Sequence, residues 1–321
     1  MEHQTGAAVL NSHRTAEPRL QWVMCASKGG AHRMAYWEWG DPSNDQVLLC
    51  LHGLTRTGRD FDSLARRLAP YYRVVAPDVA GRGRSDWLAD PGSYTVIQYV
   101  ADMLVLLARL QPRQLHWVGT SMGGLIALGM RAILLNSERT RPINGSGLPP
   151  QAAFSFGKLV LNDVGPSLSL GGVQRIAQVL VQEQEFDTYQ QALAYVQSSS
   201  EHLGLLDAES WDALTRYQYV EHDGRWRRHF DNRLTQSFTQ QAQSDLAQAQ
   251  ALLWEGYERW PAPILILRGG RSDVLSAPQV QQMLGRHPDA QAHELPGIGH
   301  APSLLRETEL ALVEQFLLER S

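Results

Sequence analysis

Residues 119–124 read GTSMGG, between the apolar run LHWV (115–118) and the helix-like run LIALGMRAILL (125–135). The spacing Gly119-x-Ser121-x-Gly123 is weak by itself: at average glycine and serine usage of about 7% each, about one chain in ten of this size carries it by chance. The flanks give it meaning. A strand, a sharp turn built from small residues and a helix would hold Ser121 at the strand tip. Gly119 and Gly123 would then allow close backbone approach, and the helix N-terminus would add partial positive charge beneath the serine.

Outward from that turn, the same alternation repeats. Short apolar runs at 46–53, 71–78, 114–121, 157–163, 263–270 and 290–297 each end in polar or Gly-rich residues. Runs apolar on both faces suit a parallel sheet covered by helices. Helical patterns lie between them at 60–69, 95–110, 122–135, 277–287 and 303–320, and the segments 20–26 and 32–39, separated by Lys28–Gly30, read as an antiparallel hairpin. The expected fold class is therefore α/β, a mostly parallel doubly wound sheet, with ligands bound at the carboxyl ends of its strands.

The alternation breaks once. From Pro166 to Arg259, Gln- and Ala-rich helical patterns follow one another (171–182, 187–197, 210–220), which predicts a helical cap inserted between two strands. The expected organisation is a loose extension over 1–19, a core formed by 20–165 and 260–321, and a cap over 166–259. A second insertion, 136–155, is rich in Pro, Gly and polar residues and reads as a surface loop.

Composition removes several classes. With 29 basic and 33 acidic residues, net charge -4, and no dense Lys/Arg cluster, no footprint for nucleic acid is present. The two cysteines, Cys25 and Cys50, stand in no metal-binding or disulfide spacing and read as buried strand thiols. No 18-residue apolar run suggests a membrane span, and the N-terminus lacks the layout of a signal peptide, so the expected location is cytoplasmic.

A serine hydroxyl attacks a carbonyl only if one group takes its proton and others stabilise the oxyanion. The N–H of Met122, next to the nucleophile, is one candidate donor, and that of Leu54, in the loop LHGLTRTGRDF (51–61), is the second. His300, in LPGIGHAPSL (295–304), is the candidate base. Asp273, in ILRGGRSDVLS (266–276), is the candidate orienting acid, giving the chain order Ser, Asp, His. Asp163, which also follows a core strand, is the alternative acid. His52, Asp78, Arg82 and Ser85 read as loop architecture. Trp211, Tyr217 and Trp226 are candidate substrate-binding residues of the cap, and RWRR (225–228) either meets a substrate carboxylate or forms a solvated face.

These loops, with PDVAGRGRSD (77–86) matching a D-x-x-G-x-G-x-S pattern and LVLNDVGP (159–166) leading towards the cap, make the chain resemble the α/β-hydrolase fold superfamily, in its capped serine-hydrolase branch. The resemblance covers nearly all of residues 30–320. It implies a carboxylesterase acting through an acyl-enzyme on Ser121, with a small-molecule ester as partner and no metal or organic cofactor. The serine departs from epoxide hydrolases and haloalkane dehalogenases, which usually carry Asp there. The loop GLTRTGRDF departs from the G-x-G-P-G type of C–C bond hydrolases, and from the HGGG of many lipases. C–C hydrolysis, acyl transfer and a non-catalytic ligand-binding module stand as alternatives.

Overall fold

In the computed structural model, the described residues are 17–139, 154–167, 171, 172, 175, 184–234, 236 and 243–319. Most of the expected N-terminal extension, most of the 136–155 loop and most of the helical run 171–182 lie outside them. The strands are β1 (Arg19–Ser27), β2 (Gly30–Trp39), β3 (Gln46–Leu51), β4 (Arg73–Pro77), β5 (Gln114–Thr120), β6 (Ser155–Asn162), β7 (Glu185–Phe186), β8 (Tyr219–His222), β9 (Arg225–Arg228), β10 (Ile264–Gly269) and β11 (Ala290–Leu295). The helices are α1 (Asp62–Leu68), α2 (Val96–Leu110), α3 (Met122–Arg139), α4 (Tyr189–Ser199), α5 (Ala208–Arg216), α6 (Gln243–Glu258), α7 (Ala277–Leu284) and α8 (Glu307–Leu318).

Eight strands form one sheet in the order β1-β2-β4-β3-β5-β6-β10-β11, antiparallel at the β1–β2 and β2–β4 pairs and parallel from β4 to β11. β3 and β5 are neighbours although β4 lies between them in sequence. The strand order reverses there, and the crevice at the carboxyl ends of such a pair is where α/β sheets bind ligands.

Alternate residues of β3 feed opposite layers, which is why that strand reads as an unbroken apolar run. Val47, Leu49 and Leu51 pack with Met103, Ile126 and Tyr257, whereas Leu48 and Cys50 pack with Leu64, Val313 and Phe316. Local signals place the helices. Thr95 Oγ1 accepts the Gln98 N–H at the start of α2, and the buried His32–Asp102 contact (3.1 Å) fastens that helix to the β1–β2 hairpin. Both cysteines are free thiols in the core. Among the described residues, no helix is long and apolar enough to cross a membrane.

The segment between β6 and β10 differs from the all-helical expectation. The run 210–220 divides: α5 stops at Arg216, and Tyr219 begins β8, which pairs with β9 through His222↔Arg225, while β7 pairs on the other side of β9. The reason is local. Asp223 and Gly224 have φ of 52° and 75°, the two left-handed residues of a tight hairpin turn, and Asp-Gly is the dipeptide that favours it. α6, assigned by sequence to the same segment, packs on α3 of the core, and a Cβ on Gly256 would lie 2.1 Å from the Leu128 carbonyl oxygen.

Burial of titratable groups fixes how the fold responds to acid. His52, His116 and His229 are held neutral chiefly by burial, their pKa values lowered from 6.5 to about 3, about 4 and about 4. Each must gain a proton when the chain unfolds below pH 6.5, so stability falls as pH drops from 6.5 towards 4. Asp78 acts in the opposite sense. Burial raises it from 3.8 to about 6, so it favours the folded state below 3.8 and loses that effect as pH rises through 6. Three uptakes less one release leave a net gain of about two protons on unfolding near pH 5. Tm should therefore fall steeply between pH 6.5 and 4 at constant ionic strength; a flat or rising Tm over that window would contradict the assignment.

Candidate active site

The turn that opened the sequence reading is the junction between β5 and α3. Ser121 lies between them with φ of 50°, a left-handed conformation uncommon for a residue with a side chain. Its flanks explain the glycines. A Cβ on Gly123 would lie 2.1 Å from the Leu51 carbonyl oxygen at the end of β3, and one on Gly119 would lie 2.4 Å from the Gly124 nitrogen. The Ser121 N–H donates to the Asn162 carbonyl on β6 (3.0 Å), and its own carbonyl accepts from Gly124 N (2.9 Å), which starts the helix.

Ser121 Oγ lies 2.9 Å from His300 Nε2, and His300 Nδ1 lies 2.7 Å from Asp163 Oδ2. The carboxylate only accepts, so Nδ1–H donates to it, and Nε2 is left to accept from the serine hydroxyl. Asp163 is fully buried, and its other oxygen accepts the Gly269 N–H of β10 (2.9 Å). Its φ of 57° turns the side chain back over the strand ends. Asn162 adds a further tie: its Nδ2 donates to the Pro302 carbonyl (2.9 Å), holding the histidine loop beside β6. A hydroxyl, an imidazole and a carboxylate in series can take a proton from the hydroxyl as it attacks an electrophile.

The expected acid, Asp273, is elsewhere. Its half-exposed carboxylate pairs with Arg175 through two hydrogen bonds (2.5 and 2.8 Å), and the Arg175 guanidinium holds its pKa below the ordinary carboxylate value. β6 is the direct neighbour of β5, whose tip carries Ser121, and the Asn162 side chain ties the histidine loop to β6 through the Pro302 carbonyl, while Arg175 takes the Asp273 carboxylate. The sequence places Asp163 directly after a core strand, but that strand's place beside β5 depends on the long-range pairing of the sheet.

The loop after β3 brings Leu54 to the same end of the sheet, since a Cβ on Gly53 would lie 3.8 Å from Ser121 Cβ. Met122 begins α3, where the first N–H groups have no partner within the helix. His52 braces this loop as a neutral imidazole: Nδ1 donates to the Gly53 carbonyl (2.7 Å) and Nε2 accepts the Val79 N–H (3.0 Å). Arg82, read from sequence as loop architecture, is fully buried and donates to the Leu54 carbonyl (2.8 Å).

The aromatic residues of the insertion divide. Trp211 and Trp226 pack against the insertion's own small core around Leu214 and Tyr219, with the Trp226 ring tilted against Tyr189 at 5.0 Å. Tyr217 covers the Arg59 guanidinium (4.4 Å) and lines a cavity of about 240 Å³ together with Trp37, Thr57 and His229. Neither Ser121 nor His300 lines that cavity. In the basic run, Arg225 pairs with Glu185 and Asp187 and Arg227 with Glu185, so two carboxylates meet those two charges within the insertion.

Residues 48–314 match the model of the Alpha/beta hydrolase family. Over 306 residues the chain is 42% identical to a 3-hydroxybutyrate-oligomer hydrolase of Cupriavidus necator, an alignment covering 94% of this chain and 98% of the relative. Among solved structures, an alpha/beta hydrolase from Novosphingobium aromaticivorans is 32% identical with a TM-score of 0.75, covering 94% of this chain and 99% of that one. A putative hydrolase from Rickettsia typhi is 26% identical with a TM-score of 0.79, covering 94% and 100%.

The two candidate acids can be ranked by substitution. Asp163→Asn should lower kcat on p-nitrophenyl butyrate by about 10⁴, because the imidazole loses both its tautomer and its orienting charge. Asp273→Asn breaks a half-exposed ion pair and should change kcat by about fivefold or less. The reverse ranking would return the orienting role to Asp273.

Proposed function

The chain belongs to the alpha/beta hydrolase family, and from that premise we propose that it hydrolyses esters of short 3-hydroxyalkanoate oligomers through an acyl-enzyme on Ser121. It is an ester-type hydrolase by its relationship to the 3-hydroxybutyrate-oligomer hydrolase. The observation that supports the acyl-enzyme mechanism is the position of His300, with Nε2 2.9 Å from Ser121 Oγ and Nδ1 2.7 Å from the buried Asp163 carboxylate, while the substrate class is taken from that relative.

In this mechanism Ser121 Oγ bonds to the ester carbonyl carbon as its proton passes to His300 Nε2, and the carbonyl electron pair moves onto oxygen. The Leu54 and Met122 N–H groups stabilise that oxyanion, each contributing about 3 kcal/mol in comparable sites. Collapse of the tetrahedral species breaks the ester C–O bond, and the leaving alkoxide takes the proton from His300. Water then attacks the acyl carbon as His300 Nε2 takes its proton, and collapse breaks the bond to Ser121 Oγ, which recovers that proton from His300. Asp163 keeps Nδ1 protonated and stabilises the imidazolium that forms in both halves. In an oligomer of a 3-hydroxy acid, the leaving alcohol and the acyl group each carry one repeat, so every turnover leaves a hydroxyl on one product and a carboxylate on the other.

The test is release of 3-hydroxybutyrate from its dimer and trimer, run beside a p-nitrophenyl ester series from acetate to palmitate. Wild type should cleave the oligomers and show one preferred acyl length, and Ser121→Ala, at equal folded concentration, should lower kcat on both by about 10⁶. Turnover of the p-nitrophenyl esters without the oligomers would remove the substrate assignment alone. Turnover that survives Ser121→Ala would remove the mechanism.

A further inference from the structure

Arg82 reaches both residues proposed to supply N–H groups to the developing oxyanion. Its Nε donates to the Leu54 carbonyl (2.8 Å), and Nη2 lies 3.6 Å from the Met122 sulfur. Nη1 donates to the Ala80 carbonyl (2.7 Å) and the Tyr99 hydroxyl (2.8 Å). The side chain is fully buried, and each of these acceptors is neutral. Among the described residues, no carboxylate pairs with it. Asp231 is matched by Arg233 and Tyr94, Asp102 by His32 and Gln98, and Asp78 by the N–H groups of Gly58 and Arg84 and the Trp37 indole.

A guanidinium buried without a counter-anion is costly, and structures retain one where something else stabilises it. Its position was arranged by the loop around it. Gly81 and Gly83, at φ of 84° and 52°, flank it, and a Cβ on Gly83 would lie 2.3 Å from the Asp78 carboxylate. The loop is thus wound tightly around Asp78, with Arg82 directed inward. The rings of Tyr99 and Tyr94 lie 5.0 and 5.8 Å from the guanidinium carbon, an arrangement that suits a cation kept from water. Its field reaches the oxyanion loop, where it helps to keep His52 neutral.

We propose that Arg82 is a positioning residue for the oxyanion site: it fixes Leu54 and Met122 in place, and its unpaired charge is answered by the negative charge that forms on the substrate oxygen during attack. The proposal rests on Ser121 acting as the nucleophile. A charge matched only when the tetrahedral species exists favours that species over bound substrate, so its removal acts on kcat rather than on KM.

The experiment compares wild type, Arg82→Lys and Arg82→Gln on p-nitrophenyl butyrate, with inhibition by butylboronic acid as a tetrahedral mimic and folding followed by Tm. Arg82→Gln should lower kcat by about 10²-fold or more with KM nearly unchanged, and should weaken boronate inhibition in parallel. Arg82→Lys keeps the charge but not the fork, and should recover part of both losses. Equal kcat and equal boronate affinity across the folded variants would overturn the proposal, as would a loss expressed in KM alone. If Arg82→Gln fails to fold, Arg82→Lys decides: boronate affinity equal to wild type overturns the proposal, and a loss shared by kcat and boronate supports it. Ser121→Ala in the same assay separates the two readings, since activity surviving there removes the nucleophile itself, whereas an inactive Ser121→Ala beside a fully active Arg82→Gln removes only the role of Arg82.

Discussion

The carboxylate of Asp163 is the pin on which the site turns. One oxygen accepts the Gly269 N–H at the end of β10, and the other accepts from His300. A buried carboxylate is tolerated only when its lone pairs are met, and here both oxygens are occupied by parts of the fold that would otherwise be independent. β6 carries the acid, β10 anchors it, the last loop supplies the imidazole, and β5, on the other flank of β6, presents Ser121. Four distant segments of sequence converge at one fully buried side chain.

The opposite half of the site is held by a neutral imidazole and a buried guanidinium. His52, kept neutral by burial, joins the Gly53 carbonyl to the Val79 N–H, and Arg82 joins Leu54 to the loop that follows β4. That loop also carries the insertion: the Gly83 N–H donates to the His229 carbonyl, and Tyr94 donates to Asp231. The inserted segment and the loop after β3 are thus braced by the same stretch, 79–94, whereas the Ser121–His300–Asp163 series is braced by the central strands.

Much of this was legible in the sequence because the signals are local. The β5–turn–α3 junction, the parallel strands and the loop positions of Leu54 and His300 follow from apolar runs and from glycines placed where backbones touch. Three features resisted for separate reasons. Asp163 and Asp273 both follow core strands, and what puts the first beside His300 is long-range contact: the Asn162 tie to the Pro302 carbonyl and the pairing of Asp273 with Arg175. The β8–β9 hairpin was obscured by the helical periodicity of 210–216 running up to it, although Asp223-Gly224 carries the turn signal. Arg82 could not be recognised from composition, since nothing in a loop motif says that a cation will point inward.

The crowding around Ser121 also sets how this chain can drift. Positions 119 and 123 have no room for a side chain, because the backbones of β3 and α3 already occupy it. Position 121 is constrained in conformation rather than in volume, and its left-handed φ disfavours a β-branched residue while accepting unbranched ones such as Cys or Asp. A substitution there could replace the hydroxyl and leave the scaffold intact, whereas the neighbouring glycines have no room for one. At this junction the side chain at 121 is therefore the more replaceable part, and the turn that displays it the less replaceable.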